Sequence, residues 1–250
     1  MERAVVCCIA KDEEMYIDEW IQHNLKLKFD HIYIYDNSDT HTLREWPLKY
    51  LGQVTLIHLP GAVKQMTAYN HFKEVFGKDC TWCAYIDVDE FIMMRKHDDI
   101  HDLLREHCAR GGLSLNWYLF GSSGETEYRD EPITKRFQRR AATLNEHTKM
   151  IVRMEDLVTV DCCHYGKLVN QDLQHDTCGR VIHGPFNHEG TDDVACIYHY
   201  FLKSKEEFRK KALRGRADTG QQRDFDADFG RHDCNEVHDS RAYDFNYPST

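Results

Sequence analysis

The sequence predicts an α/β protein whose mixed, mainly parallel sheet is flanked by helices. Strand-like and helix-like segments alternate through the first half of the 250 residues, which is the pattern of a doubly wound sheet. Four strand-like segments in that half end in polar loops, as strands do where an open sheet binds its ligand. The second half is richer in strand-like segments, so we expect it to add a β-rich side to the same domain.

In the first half, apolar residues mark the elements, and polar or glycine residues mark their ends. Apolar runs indicate strands, and apolar side chains three and four residues apart indicate helices. Pro60-Gly61 stops one strand, and Gly77 lies just past one helix. The predicted elements are a strand over 3–10, a helix around Ile17–Leu25, strands over His31–Tyr35 and Val54–Leu59, a helix over Lys64–Phe76, and a strand that ends at Asp87.

The second half contains further strands and one helix with a clear start. Ser204 and Glu207 have the spacing of a capping box, so Ser204 is expected to cap a helix that runs to about Leu213. The other predicted elements are a strand over Leu113–Phe120, a flexible turn over Gly121–Gly124, strands near 133–139 and 148–153, and a strand over Cys196–Tyr200. We assign residues 1–218 to one domain. Residues 219–250 form a polar, acidic tail that is either disordered or draped over it.

Composition favours a soluble protein and disfavours one class of partner. A hydrophobic content of 41% is enough for a sizeable core, and no apolar run reaches the roughly 18 residues of a membrane helix. The N-terminal apolar run is too short for a signal peptide, and the ten cysteines are expected to be free thiols. A cytoplasmic location is therefore expected. The net charge of −10 disfavours sequence-independent nucleic-acid binding.

The most informative motif is Asp87-Val88-Asp89, which follows an apolar strand. Side chains at positions i and i+2 of a strand point to the same side, so the two carboxylates can converge on one cation while Val88 faces away. Apolar residues Phe91–Met94 follow, and two carboxylates between buried segments need a partner to offset their desolvation. The motif therefore predicts a site for a hard divalent metal and a phosphate-bearing substrate.

A structural zinc site is a second metal hypothesis. Cys80 and Cys83 form the one C-x-x-C motif of the chain, and Cys162-Cys163-His164 lies far downstream. No second C-x-x-C or H-x₃₋₅-H follows at the spacing of a zinc module. The pattern therefore favours free thiols over zinc ligands.

An ordered set of short motifs resembles glycosyltransferase family 92 and the related family 2-like glycosyltransferases. The resemblance extends over about residues 5–218. The matching pieces are Lys11-Asp12-Glu13, Glu19-Trp20, Tyr33–Asn37, Gln65 with Ala68 and Asn70, Ile86–Phe91, Leu115–Trp117, Phe120–Gly124, Val152-Arg153, His199-Tyr200, Lys203-Ser204, Glu206–Phe208 and Arg214-Gly215.

This resemblance implies a GT-A fold and a metal-dependent glycosyltransferase. In such enzymes a D-x-D pair holds Mn²⁺ or Mg²⁺ against the diphosphate of a nucleotide sugar, here a UDP- or GDP-linked donor. Asp87 and Asp89 match that pair, and His199, from a late strand, is the candidate third metal ligand. The acceptor is expected to be a glycan or glycoconjugate. The other residues assigned to the donor site are Asp12, Glu13, Asp36, Asn37, Gln65, Tyr69, Asn70 and Val88.

The common outcome in the family is inversion at the anomeric carbon, which needs a carboxylate base on the acceptor hydroxyl. Asp218 follows the last matching motif, and Glu125 follows a glycine-serine turn that is expected to border the acceptor site. Either could be the base. Trp117 and Tyr118 alternate on their strand, so one of them is a candidate ring for sugar stacking while the other packs in the core.

Two other functions fit parts of the pattern. A nucleotidyltransferase uses a similar sheet and paired carboxylates, but it usually has a glycine-rich basic loop after its first strand. Here that loop, Ala10–Glu14, is acidic and has no glycine. A non-catalytic carbohydrate-binding domain would not need both Asp87 and Asp89. Many relatives carry a membrane anchor and a luminal stem that this chain is not expected to have. The oligomeric state stays open.

Overall fold

The computed structural model describes residues 2–248 and has a nine-stranded sheet at its centre, as the α/β prediction requires. The strands are β1 (Ala4–Ala10), β2 (His31–Asp36), β3 (Val54–His58), β4 (Trp82–Tyr85), β5 (Glu90–Met94), β6 (Gly112–Leu119), β7 (Arg139–Arg140), β8 (Asn145–Arg153), β9 (Leu157–Cys162), β10 (Tyr165–Leu168), β11 (Gln174–His175), β12 (Ala195–His199) and β13 (Val237–His238). The helices are α1 (Ile17–Lys26), α2 (Trp46–Lys49), α3 (Gln65–Phe76), α4 (Ile100–His107), α5 (Ile133–Arg136), α6 (Lys205–Arg214), α7 (Phe225–His232) and α8 (Arg241–Asn246).

The large sheet has the order β3-β2-β1-β4-β8-β6-β12-β5, and β11 pairs with the start of β6. The four strands β1 to β4 are parallel to one another, β8 is antiparallel to both its neighbours, and β12 runs parallel to β6. Ala10 lies opposite Asp36, which in turn lies opposite His58. Strands β1, β2 and β3 therefore end level with one another, and their polar loops share one edge of the sheet.

Both faces of this sheet are covered, which explains why its first strand is apolar throughout. On β1, Ala4, Val6 and Cys8 pack with α1, whereas Val5 and Cys7 pack with α3 on the opposite face. All seven residues of the strand are buried. A strand buried on both sides gives an unbroken apolar run instead of an alternating pattern. This is the GT-A-like, Rossmann-type architecture that the sequence predicts.

The predicted strand near 133–139 is wrong in its first part, because Ile133–Arg136 is the short helix α5. Glu19 of α1 causes the difference. Its carboxylate accepts the backbone N–H of Ile133 at 2.7 Å and also a bond from the hydroxyl of Thr134, so it caps this helix from a distant part of the chain. A cap from more than a hundred residues away leaves no local pattern to find.

Helix α4 and strands β9 and β10 are among the elements that the sequence did not predict. Helix α4 begins at Asp99, whose side chain accepts the backbone N–H of His101 at 2.9 Å. The antiparallel pair β9 and β10 lies beside α3, and Asn70 of that helix holds it by accepting the Val160 N–H at 2.9 Å.

The capping box is present as predicted, with Ser204 and Glu207 bonded in both directions.

Residues 219–248 lie against the rest of the chain. Phe229 of α7 packs with Leu202 and Phe208, and β13 pairs with β7. The glycine-serine turn is the main attachment point, because the backbone N–H groups of Ser122 and Ser123 donate to the side chains of Asp233 and Asn235 at 2.7 and 2.9 Å. The turn that was expected to border an acceptor site is thus covered by the tail.

Two general properties concern membrane insertion and the thiols. The longest helix among residues 2–248 is α3 with twelve residues, and no helix in that part of the chain has the length and hydrophobicity needed to cross a bilayer. The ten cysteines are free thiols in the structure, and five of them are buried.

Gly111 and Gly52 give a matched test of the backbone packing beside β6. Both have positive φ, at 75° and 77°, but a Cβ on Gly111 would lie 2.1 Å from the carbonyl oxygen of Leu173, whereas a Cβ on Gly52 would meet nothing within 4 Å. We predict that Gly111→Ala lowers the free energy of unfolding by about 3 kcal/mol or more, and Gly52→Ala by about 1 kcal/mol, the cost of the left-handed conformation alone. Urea unfolding of both variants measures this, and equal losses would contradict the packing described.

Candidate active site

A cleft with a volume of about 750 Å³ lies at the carboxyl ends of the parallel strands. This is within the range of small-molecule sites, about 300–1,000 Å³. Lys11, Asn37, Gly61 and Asp87, which follow the four parallel strands, all line it. Residues within 215–224 form another part of its wall, together with parts of α6 and α7. The crevice expected from the polar strand ends is therefore present, and the tail closes one side of it.

Asp87, Val88 and Asp89 lie at the bottom of this cleft, but not in the extended geometry that the sequence suggests. Strand β4 ends at Tyr85, and Val88-Asp89 form a turn that leads into β5. The backbone N–H of Glu90 donates to the Asp87 carbonyl at 3.0 Å and closes the turn. Both carboxylates still face the cleft. Val88 lines the cleft and is also part of the core.

Asp87 accepts bonds from three side chains that arrive from two directions. Gln65 Nε2 and Tyr69 Oη, both of α3, donate to Oδ1 at 2.9 and 3.2 Å. Lys149 of β8 donates to Oδ2 at 2.7 Å. Gln65 lines the cleft, whereas Tyr69 reaches Asp87 from beneath it. These contacts hold the first carboxylate of the motif in one orientation.

Asp89 lies between a lysine and the predicted histidine. Its Oδ2 is 2.6 Å from Lys211 Nζ of α6, and its Oδ1 is 3.5 Å from His199 Nε2 at the end of β12. Burial alone would raise the pKa of Asp89, but the ammonium group of Lys211 holds it well below the usual value. Burial lowers the pKa of His199, so the imidazole is neutral near pH 7. A neutral imidazole beside an ionised carboxylate is a suitable donor pair for a divalent cation.

Glu90 supports this arrangement from behind and was not identified from the sequence. Its Oε2 accepts the Asp87 N–H at 2.9 Å and lies 3.4 Å from Lys149 Nζ. Its Oε1 faces His199 Nδ1 at 3.9 Å, and neither atom has a hydrogen-bond partner within the described part of the chain. A single proton satisfies both atoms. When that proton is on Nδ1, the Nε2 lone pair of His199 points toward Asp89 and the cleft.

Lys149 carries the charge that balances Asp87 and Glu90. Burial would lower the pKa of this lysine, but the two carboxylates outweigh burial and raise it above the usual value. Conversely, burial raises the pKa of Glu90 well above its ordinary value, although Lys149 opposes this. Lys149 is therefore a fixed cation under the D-x-D turn. Lys149 and Lys211 were both absent from the sequence-based assignments.

Glu13 lines the cleft, but both of its carboxylate oxygens are already bonded. Lys203 Nζ lies 2.7 Å from Oε2, and Arg214 Nη2 lies 2.7 Å from Oε1. Burial would raise the pKa of Glu13, but the two cations outweigh it and lower the pKa below the usual value. Glu13 therefore ties the loop after β1 to α6. Its neighbour Asp12 is exposed, has a positive φ of 55°, and does not line the cleft.

Asp36 and Asn37, after β2, serve the loops around them. The Asp36 carboxylate is fully buried and accepts the backbone N–H groups of Ser38 and Leu43 at 2.9 and 3.2 Å, so it is turned away from the cleft. Asn37 lines the cleft, and its amide donates to the carbonyls of Leu59 and Gly61 at 2.7 and 2.8 Å. Asp36 was assigned to the donor site, yet local backbone bonds engage both of its oxygens.

Asn70 and Glu125 also lie outside the cleft. Asn70 is occupied with β9, where its amide donates to the Val160 carbonyl at 2.8 Å. Glu125 forms an ion pair with Arg129 on the surface. Neither residue therefore lies at the site that the sequence predicted for it.

Asp218 does line the cleft, where Arg216 binds it through two contacts of 3.1 and 3.2 Å. Burial would raise the pKa of Asp218, but Arg216 lowers it below the ordinary value. Asp228 of α7 lines the same cleft and has no ion-pair partner among residues 2–248. Asp228 lies in an acidic stretch of the sequence, and no motif there distinguishes it from its acidic neighbours.

Trp117 lines the cleft, whereas Tyr118 points to the other face of the sheet, where the Arg140 guanidinium lies 3.8 Å from its ring centre. His147 stacks on Trp117 at 5.1 Å, and His199 contacts it edge-on at 4.4 Å. The buried indole N–H has no partner within residues 2–248. Trp117 therefore contributes an indole ring to the cleft, with two histidines packed against it.

Arg223 is the clearest unpaired cation in the wall that the tail provides. It lies over the Phe201 ring at 5.1 Å, and its Nε has no hydrogen-bond partner in the described chain. Burial, and then the nearby Arg216, lower its pKa. Both effects disfavour a lone positive charge, so an anion bound in the cleft would relieve them.

This chain is similar to several known proteins. Residues 3–225 match the family model described as Glycosyltransferase family 92. A family 92 protein from Oryza sativa subsp. japonica is 26% identical over 159 residues, covering 61% of this chain and 27% of its own length. One from Ricinus communis is 26% identical over 226 residues, covering 83% and 36%. HddC from Yersinia pseudotuberculosis resembles the chain remotely, with a TM-score of 0.38, 6% identity, and coverage of 66% and 84%.

The class that the fold and the cleft define is thus an α/β protein with a D-x-D turn at the carboxyl edge of its sheet. The chain belongs to glycosyltransferase family 92. It spans about a third of the length of the curated relatives that it matches.

The Glu13 ion pairs generate a prediction about stability and pH. Glu13→Gln leaves two cations without their carboxylate, so we expect a loss of about 3 kcal/mol in the free energy of unfolding at pH 7. Because the folded pKa of Glu13 is lowered, this contribution is present above its ordinary pKa of 4.5 and is lost as the pH falls through the folded value.

The matched control is Glu155→Gln, which removes an exposed pair with Arg153 and should change stability by no more than about 0.5 kcal/mol. Urea unfolding between pH 3 and 7 measures both variants. A Glu13→Gln loss as small as that of Glu155→Gln would contradict the proposed tie.

Proposed function

We propose that this chain transfers a sugar from a nucleotide-linked donor to a carbohydrate or glycoconjugate acceptor, with a divalent cation at the D-x-D turn. The observation that carries the proposal is the position of Asp87 and Asp89 at the bottom of the cleft, with His199 beside them, in a member of family 92. The nucleotide would be UDP or GDP. The polar loops after β1, β2 and β3 provide its surroundings.

Asp89 and His199 fit a Mn²⁺ or Mg²⁺ ion, and Asp87 is its third candidate ligand. Asp89 Oδ1 and His199 Nε2 are 3.5 Å apart, which is close to the separation of two adjacent ligands on one ion. The other ring nitrogen of His199, Nδ1, faces Glu90, which can hold the imidazole in the orientation of a ligand. The bound ion would offset the negative charge that develops on the diphosphate leaving group. Lys211 holds the other oxygen of Asp89, so that Oδ1 stays directed at His199.

The cationic wall supports binding of a diphosphate. Arg216 and Arg223 lie together in the wall formed by residues 215–224, and Arg223 has no carboxylate partner within residues 2–248. Guanidinium groups bind phosphate oxygens with charge-assisted hydrogen bonds. The Trp117 ring also lines the cleft and is a candidate surface for sugar stacking.

Among the carboxylates proposed as the base, Asp218 is favoured because it lines the cleft, whereas Glu125 does not. Inversion requires the base to take a proton from the acceptor hydroxyl while the hydroxyl oxygen attacks the anomeric carbon. Arg216 keeps the Asp218 carboxylate ionised and directs it. The lowered pKa makes it a weaker base, so the acceptor proton would be transferred late in the reaction.

The proposal predicts that donor binding depends on both the metal and Asp89. In calorimetric titration of a panel of UDP- and GDP-sugars, wild-type protein should bind one donor much more tightly with Mn²⁺ than without it. Asp89→Asn should weaken that binding at least tenfold. Asp156→Asn is the control, because Asp156 is also buried and also paired with a cation, Arg110 at 2.8 Å, but does not line the cleft. Donor binding by Asp89→Asn at wild-type affinity, with the same Mn²⁺ dependence, would refute the site.

A second prediction concerns Arg223. Arg223→Gln removes an unpaired, half-buried charge, so thermal stability should not fall, whereas donor affinity should drop about tenfold through the lost phosphate contact. Arg209→Gln is the matched control, because Arg209 also lies over a phenylalanine ring, at 4.8 Å, but faces away from the cleft. The same titration measures both. Equal donor affinities in the two variants would show that Arg223 does not touch the donor.

A third prediction distinguishes the proposed bases. Asp218→Asn should keep donor affinity and lower single-turnover sugar transfer by about 10² to 10⁴, the usual size of a general-base contribution. Glu125→Gln should transfer sugar at the wild-type rate, because Glu125 is paired with Arg129 outside the cleft. The reverse pattern would make Glu125 the base. Wild-type rates in both would direct attention to Asp228.

A further inference from the structure

A cluster of His97, Glu106 and His107 lies away from the cleft. Their nitrogen and oxygen ligand atoms all lie within 4.8 Å of one another, and this is the one such group of three or more among residues 2–248. His97 is in the segment between β5 and α4, and the other two are in the last turn of α4. None of the three lines the cleft.

The two imidazoles each face one oxygen of the same carboxylate. His97 Nε2 is 3.6 Å from Glu106 Oε2, and His107 Nε2 is 3.6 Å from Glu106 Oε1. The histidine side chains are only 10% and 14% exposed, whereas that of Glu106 is 64% exposed. Neither Nε2 atom has a hydrogen-bond partner in the described part of the chain. Two nearly buried ring nitrogens thus point at one carboxylate without bonding to it.

A hydrogen bond of His107 indicates which of its two ring nitrogens carries the proton. Its Nδ1 lies 3.2 Å from the backbone carbonyl of Thr177, and a carbonyl can only accept. The proton of the neutral ring is therefore on Nδ1, so the lone pair of Nε2 faces Glu106. A lone pair facing a carboxylate is unfavourable unless a cation lies between them. A backbone carbonyl that fixes the tautomer of a ligating histidine is a common support of metal sites.

We propose that His97 Nε2, His107 Nε2 and the Glu106 carboxylate bind a zinc ion. Two imidazoles and a carboxylate suit zinc, and the solvent side next to Glu106 leaves the fourth position to water. Ligands 2.0–2.1 Å from a tetrahedral zinc are about 3.4 Å apart. When Glu106 binds through one oxygen, its 3.6 Å separation from one imidazole is close to that value, and rotation of the exposed Glu106 side chain adjusts its separation from the other. The ion would also lie at the C-terminal end of α4, where the helix dipole favours a positive charge.

Such an ion would have a structural effect. It would join the segment after β5 to the end of α4, and through His107 to the loop that contains Thr177. Asp89 precedes β5 and His97 follows it, so the proposed zinc lies at the opposite end of the same strand from the D-x-D turn. It would hold that strand end in place without contacting the donor.

The test is a titration of metal-stripped protein with ZnCl₂, using a chromophoric chelator as competitor and reading melting temperature in parallel. Glu106→Gln is the first variant, because its exposed side chain can change without disturbing the core, and His107→Gln is the second. His183→Gln is the matched control, since His183 faces Asp172 at the same 3.6 Å distance outside the cluster. The same titration of Asp89→Asn separates this site from any zinc bound in the cleft.

We expect wild-type protein, the His183→Gln control and Asp89→Asn to bind zinc at this site and to melt at a higher temperature with it. Both cluster variants should lose one equivalent of zinc or at least tenfold in affinity, and most of the thermal shift. Equal zinc stoichiometry and affinity in wild type and both cluster variants would overturn the proposal. Loss of all bound zinc in Asp89→Asn, with none lost in Glu106→Gln, would also overturn it.

Discussion

The balance of buried charge at the turn Asp87–Glu90 is the constraint on which the rest of the structure depends. Three carboxylates within four residues lie under or at the cleft, and burial of such groups is unfavourable without cations. Lys149 compensates Asp87 and Glu90, and Lys211 compensates Asp89. These lysines come from β8 and α6, so the turn forms only when both elements are in place.

The requirement explains the order of the sheet. Strand β8 lies antiparallel between β4 and β6, and this places Lys149 directly beneath the turn. Strand β12 pairs with β5, so His199 lies opposite Glu90 in the register. The chain then continues into α6, which carries Lys211 and Arg214 back to the carboxyl edge. The tail completes the cleft with arginines. One site thus combines groups from residues 11 to 232.

The sequence predicted the parts that depend on local pattern. Apolar runs gave the parallel strands, the polar strand ends gave the position of the cleft, and Ser204 with Glu207 gave the start of α6. The D-x-D motif pointed to Asp87 and Asp89, the family resemblance added His199, and all three residues line the same cleft. Their roles as metal ligands remain predictions.

What the sequence did not predict depends on distant partners. Glu19 caps α5 from another helix, so the strand near 133–139 was an error that local propensity could not correct. Asp36 was expected at the nucleotide because of its position after β2, but a carboxylate at a strand end is equally suited to bind its own loop. Lys149 looked like one strand residue among several, and only the antiparallel pairing places it under Asp87.

The central claim is that the pair Asp89 and His199 binds the divalent ion of a sugar-transfer site. Pulsed electron paramagnetic resonance of protein loaded with Mn²⁺ tests it directly, because a coordinated imidazole nitrogen modulates the electron spin echo. The account predicts ¹⁴N modulation in the wild type and its loss in His199→Gln. Bound Mn²⁺ without nitrogen modulation in the wild type, or with the same modulation in His199→Gln, would contradict it.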